Sequence, residues 1–329
     1  MRHWTSGAVG LALGFLAVAS AGAEAPLMCD GKGLTDPAGL QEARAKRSDD
    51  LVNANGLLWR IDRAGLAPSY LYGTIHSTDD AALAMATRAA ERIAGAKVVA
   101  TELGSLDAVD KANVGASAIA RALDRDHDTF EGVPAKDRED VEKFVAASGY
   151  PSEFARHLKL WFLAILTATP PCEARRQANG LPEVDQFLAD AAKTSGVKVI
   201  GLETTAEQID VLSAMRPEIA VTLLTVAARE PDLSDDVYAT MLRLYHESRP
   251  AEILPVTDVI GGMSEDERTA EDEFVRLLLT GRNGTMAERA APLLEKGGAF
   301  IAVGALHLPG KDGLIERFRA LGYAVVKEW

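Results

Sequence analysis

The chain is poor in the residues that most directly announce a chemistry. It has two cysteines, Cys29 and Cys172, and six histidines. Neither cysteine has a histidine beside it, which excludes a structural zinc site and disfavours a cysteine nucleophile. There is no Gly-x-Ser-x-Gly elbow, the mark of an ordinary serine hydrolase, and no glycine-rich loop able to cradle a phosphate. Basic residues are short as well, 35 against 48 acidic, for a net charge of −13. That balance argues against nucleic acid as a partner, because phosphate binding needs a basic surface. Low-complexity stretches and Pro/Gly/Ser linkers are missing, so the body of the chain reads as one compact domain.

The long apolar run is confined to the N-terminus. Arg2 precedes an apolar stretch from Gly7 to about Ser20, and Ala21-Gly22-Ala23 supplies a small-x-small cleavage pattern. Residues 1–23 are therefore expected to be a signal peptide and residues 24–329 the domain. Its loss removes Arg2 and no acidic residue. No later segment reaches about 18 apolar residues, so no stable membrane span is expected after cleavage. Export implies the periplasm or secretion. In that oxidising setting Cys29 and Cys172 are expected to form a disulfide. The sequence says nothing of oligomeric state.

Short β-like runs at 57–62 and 69–74 predict a hairpin around Arg63–Pro68. A capping cluster, Ser77-Thr78-Asp79-Asp80, then opens a helix carrying Leu83, Ala86, Ala90 and Ile93 and ending at Gly95. Lys97–Leu103 reads as the next strand. The middle, about 107–193, is mostly helical, and Val197–Leu202 reads as a buried strand. Thr204-x-x-Glu207 is a capping box. More helical pattern follows to about Leu294, broken or kinked at Pro217, Pro231, Pro250 and Pro292. The close is strand, turn, helix, strand over 300–326. The fold class is therefore α/β (α+β), a central mixed sheet surrounded by helices, with a site built from the first and last βα units.

Two segments stand out: Gly73-Thr74-Ile75-His76 and Gly304-Ala305-Leu306-His307. Each follows an apolar strand, so each places an imidazole at the carboxyl edge of a sheet, where ligands bind in α/β proteins. The glycine permits either close backbone approach or a positive φ before the histidine. Glu102 ends a third strand. Two imidazoles and a carboxylate are a standard set for zinc, manganese or cobalt with a position left for water. A histidine at a strand end is, taken singly, more often a hydrogen-bonded structural residue. Glu203 fits either the site or a helix N-terminus. Arg282-Asn283 fits either carboxylate orientation or substrate binding, or else a turn, since Asn283-Gly284 is a turn dipeptide. His127, His157 and His246 lack partners at ligand spacing and read as surface or satisfied residues.

Taken in order, Tyr72-Gly73-Thr74-Ile75-His76-Ser77, Thr101-Glu102-Leu103, Gly201-Leu202-Glu203-Thr204, Arg282-Asn283 and the segment from Val303 to Gly310 resemble the TraB/GumN family, whose animal relatives are the Tiki-type proteases. The resemblance implies a metal-dependent hydrolase fold, distantly similar to erythromycin esterases. It makes His76, Glu102 and His307 the site residues, with Gly73 and Gly304 as motif glycines. The expected activity is hydrolysis of a peptide or other small substrate with a divalent metal (Zn, Mn or Co). His76 and His307 would be ligands, and Glu102 either the third ligand or the general base. Arg282 and Asn283 are candidate substrate-binding residues. A metal-free, esterase-like hydrolase and a non-catalytic binding scaffold stay open beside this reading.

Overall fold

The structure, a computed structural model, describes residues 28–29, 31–34, 39–104, 108–229, 233–259 and 264–329. The expected signal peptide and Pro231 lie outside them. Six strands form one mixed sheet: β1 Leu58–Asp62, β2 Ser69–Thr74, β3 Val98–Thr101, β4 Lys198–Gly201, β5 Ala299–Gly304 and β6 Ala324–Lys327. Their order is β4-β3-β5-β2-β1-β6. β4, β3, β5 and β2 are mutually parallel, whereas β1 is antiparallel to both β2 and β6. Strand pairing therefore places the ends of β2, β5 and β3 side by side, Thr74 opposite Gly304 and Thr101 opposite Ala302.

Alternation along β5 explains why the sheet is central. Phe300 and Ala302 point into a cluster with Tyr72 and the helices Asp80–Ala90 and Val184–Thr194. Ile301 and Val303 point the other way, onto the helices Thr280–Leu294 and Leu314–Ala320. A strand covered on both faces reads as a continuous apolar run, and Phe300–Val303 does. β4 departs from the expected buried strand: it is an edge strand with β3 as its neighbour, and its residues are half-buried or exposed. A separate helical cluster packs Phe144, Trp161, Phe162 and Leu224 away from the sheet.

Local signals set many boundaries. The Asp79 carboxylate caps its helix by accepting from the Ala82 amide at 2.9 Å, and Thr204 with Glu207 closes the capping box. The helix that Asp79 caps, Asp80–Ala90, stops at Ala90, and Ile93–Gly95 continues as a 3₁₀ turn. Pro217 begins a helix and Pro292 sits inside one. Among the described residues no single helix is long and apolar enough to cross a membrane.

Cys29 and Cys172 are joined, with Cα atoms 5.4 Å apart and a sequence separation of 143. Chain-entropy models assign a loop of that size about 4–5 kcal/mol as an upper value. Replacing both cysteines by alanine should lower the melting temperature by several degrees, and non-reducing mass spectrometry of the wild type should show the cross-linked peptide. Two free thiols in freshly isolated protein would contradict the bridge.

A second tether joins the segment around Leu40–Lys46 to the body. The Arg47 guanidinium donates to both Asp258 carboxylate oxygens at 2.6 Å and to Asp272. Beside it Glu271 is buried, and neither of its oxygens has a hydrogen-bond partner. Burial, then the charge of Asp258, push its carboxyl up to about 8 against the pull of Arg47. A carboxyl raised on folding lends stability that is full below about pH 4.5 and lost as pH rises through about 8. Glu271→Gln should thus match the wild type near pH 5 and exceed it near pH 9, as read by urea midpoints. A gap that does not widen with pH would refute this assignment.

Candidate functional site

The four parallel strands deliver their next residues to one edge. His76 lies two residues past β2, His307 three past β5, Glu102 directly after β3 and Glu203 two past β4. Close approach makes this possible. A Cβ on Gly73 would lie 2.9 Å from the Ala305 Cα, and one on Gly304 would lie 3.2 Å from Glu102 Oε1. Neither glycine has a positive φ, so of the two uses of glycine it is proximity that applies here.

Glu102 is fully engaged. Its Oε1 accepts from the Gly304 amide at 2.8 Å, and its Oε2 accepts from Arg282 Nη2 at 2.5 Å and Gln208 Nε2 at 3.2 Å. Burial alone would raise its pKa. Arg282, helped by His307 and His76, instead holds it well below the usual carboxylate range. The same guanidinium donates through Nε and Nη2 to Glu203, the latter at 2.6 Å, and Gln208 also bridges to Glu203 at 3.2 Å. Glu102, Arg282 and Glu203 thus form a buried acid–base–acid triad. Arg282 and Asn283 sit in the Thr280–Leu294 helix, not in a turn, since the helix pattern overrides the Asn-Gly dipeptide.

Asn283 fixes the tautomer of His307. Its Nδ2 donates to the Asp312 carbonyl at 3.1 Å, so its Oδ1 must accept. The partner is His307 Nδ1 at 2.7 Å. Burial and the nearby Arg282 charge lower the His307 pKa to about 3, so the ring is neutral with its proton on Nδ1. The Nε2 lone pair then faces Glu102 Oε1 at 3.7 Å. Two acceptors this close, with no proton between them, favour a cation or a water.

His76 keeps different company. Its Nδ1 lies 3.2 Å from Asp185 Oδ2 and 3.7 Å from Glu183 Oε2. The other Asp185 oxygen accepts from Thr74 Oγ1 at 2.8 Å. Both His76 Nδ1 and Asp185 Oδ2 are buried, yet neither has a partner in hydrogen-bonding geometry. Burial would lower the His76 pKa, but Asp185 and Glu183 outweigh it and push it up to about 10. Glu183 stands at the N-cap position of the Val184–Thr194 helix, without a side-chain capping bond, and Asp185 lies in its first turn, where the helix dipole favours negative charge.

Donor atoms of His76, Glu183 and Asp185 all lie within 4.8 Å of one another, close enough to hold one metal ion. His76, Glu102 and His307 line one cleft together with Arg282, but those three are not such a group among the described residues. Sequence reasoning passed over Glu183 and Asp185 because acidic residues at a helix start read as dipole complements. The one available signal was two carboxylates directly after Pro182. Arg282 and Asn283, expected to bind substrate, spend their polar groups on Glu102, Glu203 and His307.

Behind His76 the turn is clamped by Glu173, which is buried. Its carboxylate accepts from the Thr78 amide at 2.9 Å, from Thr78 Oγ1 at 3.1 Å and from the Tyr238 hydroxyl at 2.8 Å. Among the described residues the other histidines, His127, His157 and His246, do not line the cleft; His127 pairs with Asp124 and His246 with Asp79.

Breaking a buried ion pair from one side strands the other charge, at about 3–5 kcal/mol. Arg282→Met should therefore lose about that much in urea unfolding. Glu203→Gln, which leaves Glu102 paired, should lose less. Equal stability of Arg282→Met and wild type would show that the triad does not hold the sheet edge together.

No match was found among curated proteins or among solved structures. The model of the TraB/PrgY/gumN family matches residues 57–327, a span that runs from the start of β1 to the end of β6 and contains both Gly-x-x-His segments, Glu102, Glu203 and Arg282. On that match the chain belongs to the TraB/PrgY/gumN family.

Proposed function

We propose that this protein is an exported, metal-dependent hydrolase that cleaves an amide bond, most simply that of a peptide. The observation that carries the reading is the pair His76 Nδ1 and Asp185 Oδ2, buried 3.2 Å apart without hydrogen-bonding geometry beside a second carboxylate. The two make a buried ion pair without good hydrogen-bond geometry, and a divalent cation that takes the place of the His76 proton would satisfy both at once. One imidazole and two carboxylates suit zinc, manganese or cobalt. His76, Asp185 and Glu183 would hold the ion, which lowers the pKa of bound water and so supplies hydroxide near neutral pH.

The other residues have roles that follow from their contacts. Glu102 is ionised and immobilised by Arg282, Gln208 and the Gly304 amide, so it accepts a proton at a fixed point in the cleft. His307 offers its Nε2 lone pair at the same floor, held there by Asn283. Both are weak bases, with His307 lowered to about 3 and Glu102 below the carboxylate range. A general base works best with a pKa near the working pH. Weak bases therefore favour a reaction in which the water is already acidified over one in which they deprotonate free water.

Titration with Zn²⁺, Mn²⁺ and Co²⁺ while following the melting temperature tests this. At about a hundred times the dissociation constant, a bound ion adds about 2.7 kcal/mol of stability. The wild type should gain it, whereas His76→Ala and Asp185→Asn should not. Glu102→Gln should keep the metal response but lose about 10²-fold or more in turnover of a peptide substrate. If no ion stabilises the wild type more than the His76→Ala/Asp185→Asn double variant, the metal reading fails.

A further inference from the structure

The cleft has two unlike walls. One is the polar sheet edge with His76, Glu102, Arg282 and His307. The other is apolar: Tyr238, Met241 and Tyr245 from the Leu233–His246 helix, Ile253, and Leu278 with Leu279 where two helices meet. The empty space is about 740 Å³, its mouth included. Tyr238 and Met241 also line a second hollow on their far side, closed by Thr167, Leu223, Ala227 and Phe274. The tyrosine hydroxyls are not free to serve a polar ligand. Tyr245 donates to the Gly73 carbonyl at 2.9 Å and Tyr238 to Glu173 at 2.8 Å. Their rings are what the cleft presents.

Charge narrows the choice further. Of the carboxylates nearby, Glu102 lines the polar wall, while Glu203 pairs with Arg282 and Glu183 and Asp185 lie beside His76. The two positive groups of that wall are both spent, Arg282 on Glu102 and Glu203 and His76 on Asp185 and Glu183, so neither is free to receive an anionic group. The apolar wall offers nothing to a sugar or a charged side chain, whose burial without partners is costly.

From these walls we infer that the substrate is neutral at the reacting group and carries an aliphatic or aromatic side chain next to it. That side chain lies against Met241 and Leu279, and a longer one reaches past Tyr238 and Met241 toward the second hollow. The inference rests on the hydrolase reading for the word substrate, but its test does not.

The probes are N-methylamides of acetic, butyric and hexanoic acid, and the mono-N-methylamide of adipic acid, bound to the full chain in calorimetry without added metal. Each added pair of methylenes should tighten binding about tenfold. The adipic probe, the same length with a carboxylate at its end, should bind at least tenfold more weakly than the hexanoic one. Met241→Asn should flatten the series. Leu279→Asn, at a less buried position, should do so too and covers the case in which Met241→Asn does not fold. Equal affinities along the series in the wild type, or an adipic probe that binds as well as the hexanoic one, would overturn the inference. So would a chain-length trend unchanged in a folded Leu279→Asn protein. A chain-length trend in a protein with no metal response would sink the hydrolase reading and leave this one standing. Metal-dependent turnover without the trend would do the reverse.

Discussion

The structure turns on one buried guanidinium. Arg282 sits between Glu102 and Glu203, each on the end of a different strand, with Gln208 bridging the same two carboxylates. Two buried carboxylates at the ends of neighbouring strands would repel each other in a poorly solvated place. A single planar cation with several donors resolves the conflict. It also fixes which oxygen of Glu102 is left to meet the Gly304 amide and face His307. The β3 and β4 ends, the Thr280–Leu294 helix and the second Gly-x-x-His turn are thereby locked to one another through a few bonds.

Around that centre each imidazole is held by a different device. Asn283 imposes a neutral tautomer on His307 through the Asp312 carbonyl. His76 faces two carboxylates at a helix start and rests on a turn that Glu173 clamps from behind. Glu173 follows Cys172 in the chain, so the disulfide to Cys29 anchors the element that carries the clamp. The covalent link and the candidate metal cluster are therefore neighbours in one hydrogen-bonded structure. The two histidines, alike in sequence, end with opposite tendencies: one strongly attracts positive charge and the other resists it. Attraction on one side and a bare lone pair on the other leave the cleft floor suited to a cation and a water.

Much of the fold was legible in the residues. The hairpin, the strands before each Gly-x-x-His turn, the Thr204 capping box and the helix start after Asp79 are local events, set by caps and turn residues within a few positions. Where local rules misled, a longer-range force had won. Asn283-Gly284 reads as a turn, but helix packing through Met286, Ala287 and Ala290 keeps the segment helical. Val197–Leu202 reads as a buried strand, but its place in the strand order left it at the edge.

By itself the sequence determined the cysteine pair, the α/β alternation and the delivery of His76, Glu102 and His307 to strand ends, because strand and turn chemistry is written in adjacent residues. Only the tertiary structure decided who meets whom there. Glu183 and Asp185 are more than a hundred positions from His76, and Arg282 is 180 from Glu102. Glu183 and Asp185 carry no local mark beyond Pro182 before them, and Arg282, though singled out beside Asn283, shows in its neighbourhood no sign of the two carboxylates it holds. Their roles arise from strand order and burial, which bring distant charges within ångströms of each other and remove the water that would otherwise separate them.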